Sequence, residues 1–257
     1  MASSMMHLAV VQEMKKKIRF QNAERLDLGV ILPDAAVDGN SHLKRSICGG
    51  TKDTYDLEFF REKFGEQMKQ DDLYLGYYLH LVQDLYYRNY LYVENHWNSA
   101  IPGNVEKLHH DYCVLNGRIS QRYGLSKDKI SALDITTEPI CELAVFDAPG
   151  FVVEVQQQFA TVSEESLFVL TAEMAEEYIR RAAEFCIKEM ENLRNGKNGL
   201  DSIAYAWKKP ENNMHEKRTK ACQHKSDHHG TIIIVREKIK KRTKEKSRKM
   251  IEKQEKS

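Results

Sequence analysis

No run of apolar residues in this 257-residue chain approaches the roughly 18 that a membrane-spanning helix requires. The first residues carry no basic segment, and His7 and Gln12 interrupt their apolar character, so a secretion signal is excluded and a cytoplasmic setting is expected. Met5 and Met6 read as alternative natural starts, with the residues before them an addition. The five cysteines (Cys48, Cys113, Cys141, Cys186, Cys222) are odd in number and contain no Cys-x-x-Cys, which excludes a disulfide framework. A glycine-rich phosphate loop is absent, and so is a nucleophile elbow around Ser41 or any cysteine. No repeat of solenoid period occurs. Prolines number five, and Pro33, Pro149 and Pro210 each mark a break.

What is present suffices for a folded body: 41% of the residues are hydrophobic and 9% aromatic. Charge is unevenly spread. Residues 1–200 hold 22 Lys and Arg against 30 Asp and Glu, whereas residues 201–257 hold 17 against 8. The overall +1 therefore conceals an acidic domain (1–200) and a basic tail (201–257), separated by Asn195-Gly196-Lys197-Asn198-Gly199. Residues 236–257 offer no apolar stripe, so a solvated, disordered tail is expected. The sharper alternative is contact with an anionic surface or nucleic acid through clustered Lys and Arg. Cys222, His224, His228 and His229 match no recognised zinc module and read as adventitious.

The body reads as all-α, a multi-helical single domain. Leu8, Val11, Met14 and Ile18 recur at helical spacing, and residues 23–32 form a second helix ended near Pro33. Asp53 and Thr54 are expected to cap a helix over residues 55–68, and Asp71-Asp72 to open a long aromatic helix over 73–97. Residues 105–123 form another helix, and residues 127–133 and 138–146 shorter ones, broken at Pro149-Gly150. Residues 151–159 fit helix or strand, and residues 161–164 a capping box for a helix running to 194.

Histidines carry most of the chemical information. Six of the ten lie within the first 110 residues. His80 and Asp84 are four apart and share one helix face with Leu73, Tyr77 and Leu81. Facing a core, they must be paired, hydrogen-bonded or bound to a metal. His7 lies on the buried side of the first helix, as a core histidine or a ligand. Asp34 follows Pro33 at a helix end, as a turn former or a ligand, and His42 follows in a polar loop. Five candidates from separate segments, two of them carboxylates, suit zinc or a similar ion with open positions.

The ordered set of His7, Gly29-x-x-x-Pro33-Asp34, Ser41-His42 and Leu75-Gly76-Tyr77-Tyr78-Leu79-His80-Leu81-Val82-Gln83-Asp84 resembles the zinc-dependent phospholipase C family, in its short cytosolic bacterial branch. The resemblance covers residues 6–195, with its motifs in residues 7–115. It implies an all-helical fold with a metal-site cleft between helices, with His7, Asp34, His42, His80 and Asp84 as metal ligands and Asp34 and Asp84 in bridging or base roles. Tyr90 stands where the family has a further histidine. The nearest match to its later His-x-x-x-Glu pair is His109 with Cys113, or His110 beside Asp111, with Cys113 otherwise reading as a core residue. One or two zinc ions are therefore expected, with manganese an alternative.

The implied activity is hydrolysis of a phosphate ester or phosphodiester, a metal-activated water attacking phosphorus. A small phosphate ester and a phospholipid are both candidate substrates. Two other classes stay open: a metal-dependent nuclease or nucleotide phosphohydrolase on a related helical scaffold, and a non-catalytic helical protein keeping a structural metal or His–Asp pair.

Overall fold

The most buried segment of the chain is also its most aromatic one. In the computed structural model, which describes residues 2–159 and 162–209, every residue from Asp72 to Tyr87 is buried. A helix apolar on all sides must be central, and this one has partners all round. In chain order the described elements are α1 (Ser4–Lys15), α2 (Ala23–Ile31), β1 (Ala36–Gly39), β2 (Lys44–Ile47), β3 (Lys52–Tyr55), α3 (Leu57–Gln70) and α4 (Asp72–Arg88). They continue with α5 (Asn104–Arg122), β4 (Ala144–Phe146), α6 (Ala148–Gln157), α7 (Ala172–Arg194) and β5 (Trp207–Lys208). Helices α2, α3 and α7 pack directly on α4, while α1 rests on α2, α5 and α7. No helix among the described residues is long and apolar enough to cross a membrane.

The contact of α2 with α4 is set by two glycines. A Cβ on Gly29 would lie 2.3 Å from the Leu73 carbonyl oxygen, and one on Gly76 would lie 2.5 Å from that of Leu26. Only hydrogen fits between the backbones, so the helices cross at closer range than any other residue allows. Helix α2 then stops at Ile31, and a 3-10 turn over Leu32–Ala35 carries Pro33 and Asp34 away from its end.

The fold is mainly helical, and the all-α expectation needs correction. β1 pairs antiparallel with β4, and β2, β3 and β5 form a three-stranded sheet in the order β2-β3-β5. Residues 53 and 54 lie in β3, so the following helix is capped instead by Asp56, whose carboxylate accepts from Phe59 N–H. Lys44–Ile47 shows no alternation of apolar and polar residues, although its side chains alternate between exposed and half-buried. Its strand form comes from pairing across a turn in which Gly49 and Gly50 take positive φ (64° and 87°). That information is not periodic.

Other boundaries shift for local reasons. Helix α4 ends at Arg88 and continues as one π-helical turn over Asn89–Glu94, closed by Asn95 N–H donating to the Tyr90 carbonyl at 3.0 Å. Pro149 opens α6 instead of breaking a helix, because a first-turn residue needs no N–H partner. Residues 151–157 are accordingly helical. Helix α7 starts at Ala172 with Thr171 as its cap. The capping box expected over 161–164 does not open this helix, and Thr161 lies outside the described residues. The amino-terminal residues are integral to the fold: Ala2, Ser4, Met5 and Met6 are buried, and Ser3 caps α1. The domain extends past residue 200 to Lys209, since β5 pairs with β3 and Thr54 Oγ1 donates to the Ser202 carbonyl at 2.6 Å. The tail from residue 210 on, with Cys222, His224, His228 and His229, lies outside the described residues.

The helix crossing gives a direct test. Gly76→Ala should lower stability by about 1–3 kcal/mol or more in urea unfolding, because neither backbone can retreat without repacking the core. Gly65→Ala, at a position in α3 with nothing within 4 Å of the added carbon, should be neutral or stabilising by up to about 1 kcal/mol. Equal effects at the two sites would refute the close-crossing account.

Candidate metal centre

Helix α4 presents His80 and Asp84 one turn apart, and the crossing with α2 fixes the first of them. The Val30 carbonyl, near the end of α2 where helical acceptors run out, receives a hydrogen bond from His80 Nδ1 at 2.8 Å. A carbonyl can only accept, so the His80 proton sits on Nδ1. Burial, with the neighbouring His7 ring, pushes the His80 pKa down to about 3, so the ring is neutral and Nε2 offers a bare lone pair. That lone pair faces His42 Nε2 at 3.1 Å and Asp84 Oδ2 at 3.6 Å.

The remaining members come from three other segments. Asp34 leaves the 3-10 turn after α2 with Oδ1 3.4 Å from His42 Nε2 and 4.0 Å from His80 Nε2. His42 sits in the turn between β1 and β2. Tyr77 Oη donates to the Ser41 carbonyl at 2.6 Å, and Leu43 takes a left-handed backbone (φ 48°) while remaining buried. His7, on α1, stacks on the His80 ring with centroids 4.1 Å apart. Its Nδ1 lies 2.9 Å from Gln83 Oε1 and its Nε2 3.4 Å from Asp84 Oδ1. The Ala2 backbone N–H donates to the same Asp84 oxygen at 3.0 Å.

His7, Asp34, His42, His80 and Asp84 are thus brought to one place. His7 Nε2 and Asp84 Oδ2 are fully buried and have no hydrogen-bond partner among the described residues. A proton on His42 Nε2 can bridge to His80 Nε2, but the carboxylate oxygens and His7 Nε2 beside them still gather negative charge and lone pairs that a cation would offset. Ligands about 2.0–2.1 Å from a tetrahedral zinc lie about 3.3 Å apart. His42 Nε2, His80 Nε2 and Asp84 Oδ2 lie 3.1–3.6 Å from one another, and Asp34 Oδ1 lies 3.4 and 4.0 Å from the two ring nitrogens. This nitrogen and oxygen donor set therefore fits an ion of zinc type. His80 has one lone pair to give, so it serves one ion only, and a second ion would require a bridging carboxylate.

Burial works to raise both carboxyl groups, but their surroundings prevail: the His80 and His42 rings hold Asp34 below its usual range, and His7 and His80 hold Asp84 well below its own. Burial lowers His42, and Asp34 and Asp84 more than reverse this.

Two sequence candidates lie elsewhere. His109 and His110 are on α5 and do not join the cluster. His109 is exposed, with its ring 6.1 Å from that of Tyr112, and His110 Nε2 lies 3.2 Å from the Ser166 carbonyl and 3.8 Å from Glu165. The buried residue here is Asp111, which accepts the backbone N–H groups of Phe168, Val169 and Leu170 at 2.7–2.9 Å and so anchors the segment before α7. That packing turns the adjacent histidines outward. Cys113 is exposed, not a core residue.

Several contributors went unnoticed in sequence: the Val30 carbonyl, Gln83, and the lining of an adjoining pocket. That pocket, about 330 Å³, has His42 as its link to the cluster and Tyr55, Arg88 and Trp207 among its walls. Arg88 was readable, one turn beyond Asp84; Trp207, beyond the expected domain boundary, was not. A larger cavity of about 540 Å³, lined by Arg19, Arg61, Met190 and Arg194, shares no residue with the cluster.

His80 sets a pH dependence. The unfolded chain takes up its proton near the ordinary value of 6.5, whereas the folded chain refuses it until about 3. Its contribution is thus complete above that ordinary value and declines as pH falls through this window; the raised His42 acts oppositely, losing its contribution as pH rises through its folded value. Urea unfolding of chelator-treated protein at pH 7 and pH 5 should show a smaller loss on acidification for His80→Gln than for the parent. An equal or larger loss in the variant would contradict a neutral, buried His80.

Comparison with known proteins adds no name to this geometry: no family model matches the chain, and neither a curated protein nor a solved structure does.

Proposed function

We propose that the cluster is a metal centre holding one or two zinc ions, or manganese, and that the protein hydrolyses phosphate esters or phosphodiesters. One observation carries this reading: three imidazoles and two carboxylates form two triads that share His80, His7–His80–Asp84 and Asp34–His42–His80, while buried ligand atoms of His7 and Asp84 lack hydrogen-bond partners among the described residues. The ordered motif set that resembles the zinc-dependent phospholipases C supports the same chemistry.

Exposure divides the labour. His7, His80 and Asp84 have fully buried side chains, whereas Asp34 and His42 are 14% and 16% exposed. Structural metal sites are closed and catalytic ones keep an open side. Asp34 and His42 form that open side, next to the pocket. A bound zinc-type ion would supply hydroxide at neutral pH and offset charge on the phosphoryl oxygens. Asp34 Oδ1, at the open edge, orients the attacking water and accepts its proton. Asp84, engaged with Ala2 and His7, holds the inner ligands in place. Gln83 and the Val30 carbonyl orient His7 and His80 as outer partners of ligand histidines do. A purely structural ion, or a bare His–Asp pair, is the second reading, favoured by the complete burial of the His7–His80–Asp84 group.

Elemental analysis with a chromogenic assay separates the two. The parent should carry at least one equivalent of zinc or manganese, lost in His80→Ala and in Asp34→Ala. It should cleave p-nitrophenyl phosphate or its bis ester in a chelator-sensitive manner. Asp34→Asn should lower that rate about 100-fold or more. A metal-loaded parent inactive on both esters would favour the structural reading, and a parent without metal would end both metal readings.

A further inference from the structure

Among the described residues Arg88 has no carboxylate partner. It follows Asp84 by one helical turn and lines the pocket that His42 shares with the cluster. Its buried Nε has no hydrogen-bond partner among those residues either. Its position is nevertheless held. The guanidinium lies over the Trp207 ring at 4.0 Å and over the Tyr92 ring at 4.8 Å. Stacking occupies the faces of the guanidinium and leaves its N–H edge for a ligand, and that edge matches two oxygens of a phosphate. Half-buried, held by the two rings and with its Nε buried and unpartnered among the described residues, this arginine is placed to meet an anion. The pocket also needs such a charge, because Asp34 and Asp84 by themselves repel an anionic substrate.

Of the other walls, Tyr55, His42 and Trp207 are aromatic; the rest are Gly39, Asn40, Ser41 and Lys44, whose ammonium is taken by Asp53 at 2.8 Å. Tyr55 and Trp207 meet edge to face at 5.0 Å, and His42 lies 6.0 Å from Tyr55. Flat rings beside an anion site favour a flat organic group on the phosphate. The volume, about 330 Å³, is at the small end of ligand pockets. It suits a phosphate carrying a single ring system and is too small for both chains of a phospholipid.

We propose that Arg88 clamps the phosphate of a compact phosphoester whose planar aromatic group, aryl or nucleobase, packs against Trp207 and Tyr55. This names the substrate class for the hydrolase reading above and rests on it. Arg88 is a binding and specificity residue here, and none of the ligands discussed above.

Calorimetric titration of the zinc-loaded full chain with inorganic phosphate and with phenyl phosphate tests it. Phenyl phosphate should bind about tenfold more tightly than phosphate. Arg88→Met, which keeps the stacked stem, should weaken both by about tenfold or more at unchanged zinc content. Trp207→Ala should abolish the preference for phenyl phosphate. If Arg88→Met proves unfolded by near-ultraviolet circular dichroism, Arg88→Lys, which keeps the charge and loses the fork, should still weaken both ligands. Parent-like affinity in the folded arginine variant, or a preference that survives Trp207→Ala, overturns the proposal. So does tighter binding of monomeric short-chain phosphatidylcholine than of phenyl phosphate. The titrations are repeated on chelated protein. Arg88-dependent binding there, in a parent that never takes up zinc, upholds the pocket and sinks the metal reading alone. Absence of Arg88-dependent binding in both forms overturns the pocket itself.

Discussion

Helices α2 and α4 touch backbone to backbone at Gly29 and Gly76, and the chemistry of the candidate site follows from that contact. The approach puts the Val30 carbonyl where His80 Nδ1 can donate to it. The bond selects the tautomer and aims Nε2 into the cluster. The same end of α2 releases Asp34 from a 3-10 turn beside His42. A wider crossing would leave His80 without an acceptor and its orientation unset.

The site is an exception inside an otherwise apolar region. Helix α4 is buried on every side, with aromatic residues such as Tyr77, Tyr78 and Tyr87 filling the space around it. Placing two histidines and a carboxylate fully inside such a core is unfavourable unless their lone pairs and charge are met. Val30, Gln83 and the Ala2 amide meet part of that demand. What they leave unmet points inward, toward the common centre of the five residues. Local violation of good core design concentrated at one place is how functional sites commonly present themselves. Arg88 shows the converse beside it: a cation held by rings whose buried Nε has no partner among the described residues.

How far the sequence could be read depends on the range of the interactions involved. The helices around Leu8, Phe60, Tyr77 and Leu115 were readable because apolar spacing and caps such as Asp71 act within a few residues. Strands β1 to β5 were missed because each is short and unpatterned, and acquires its form from a partner elsewhere in the chain. Pro149 was misread since a proline that opens α6 looks locally like one that ends a helix. The same distinction separates His80 and Asp84, four apart on one helix, from His109 and His110, which α5 turns outward because Asp111 takes the buried place.

By itself the sequence determined a mainly helical body and a short inventory of residues able to bind metal, since side-chain chemistry and helical periodicity are local properties. Only the tertiary structure decided which of those residues meet, which tautomer His80 adopts, and that Trp207 belongs to the pocket beside His42. Those outcomes depend on helix crossings and strand pairings between residues up to about 150 positions apart, for instance Asp53 with Trp207. Contacts of that range arise from packing the whole core at once, and no window of the chain encodes them.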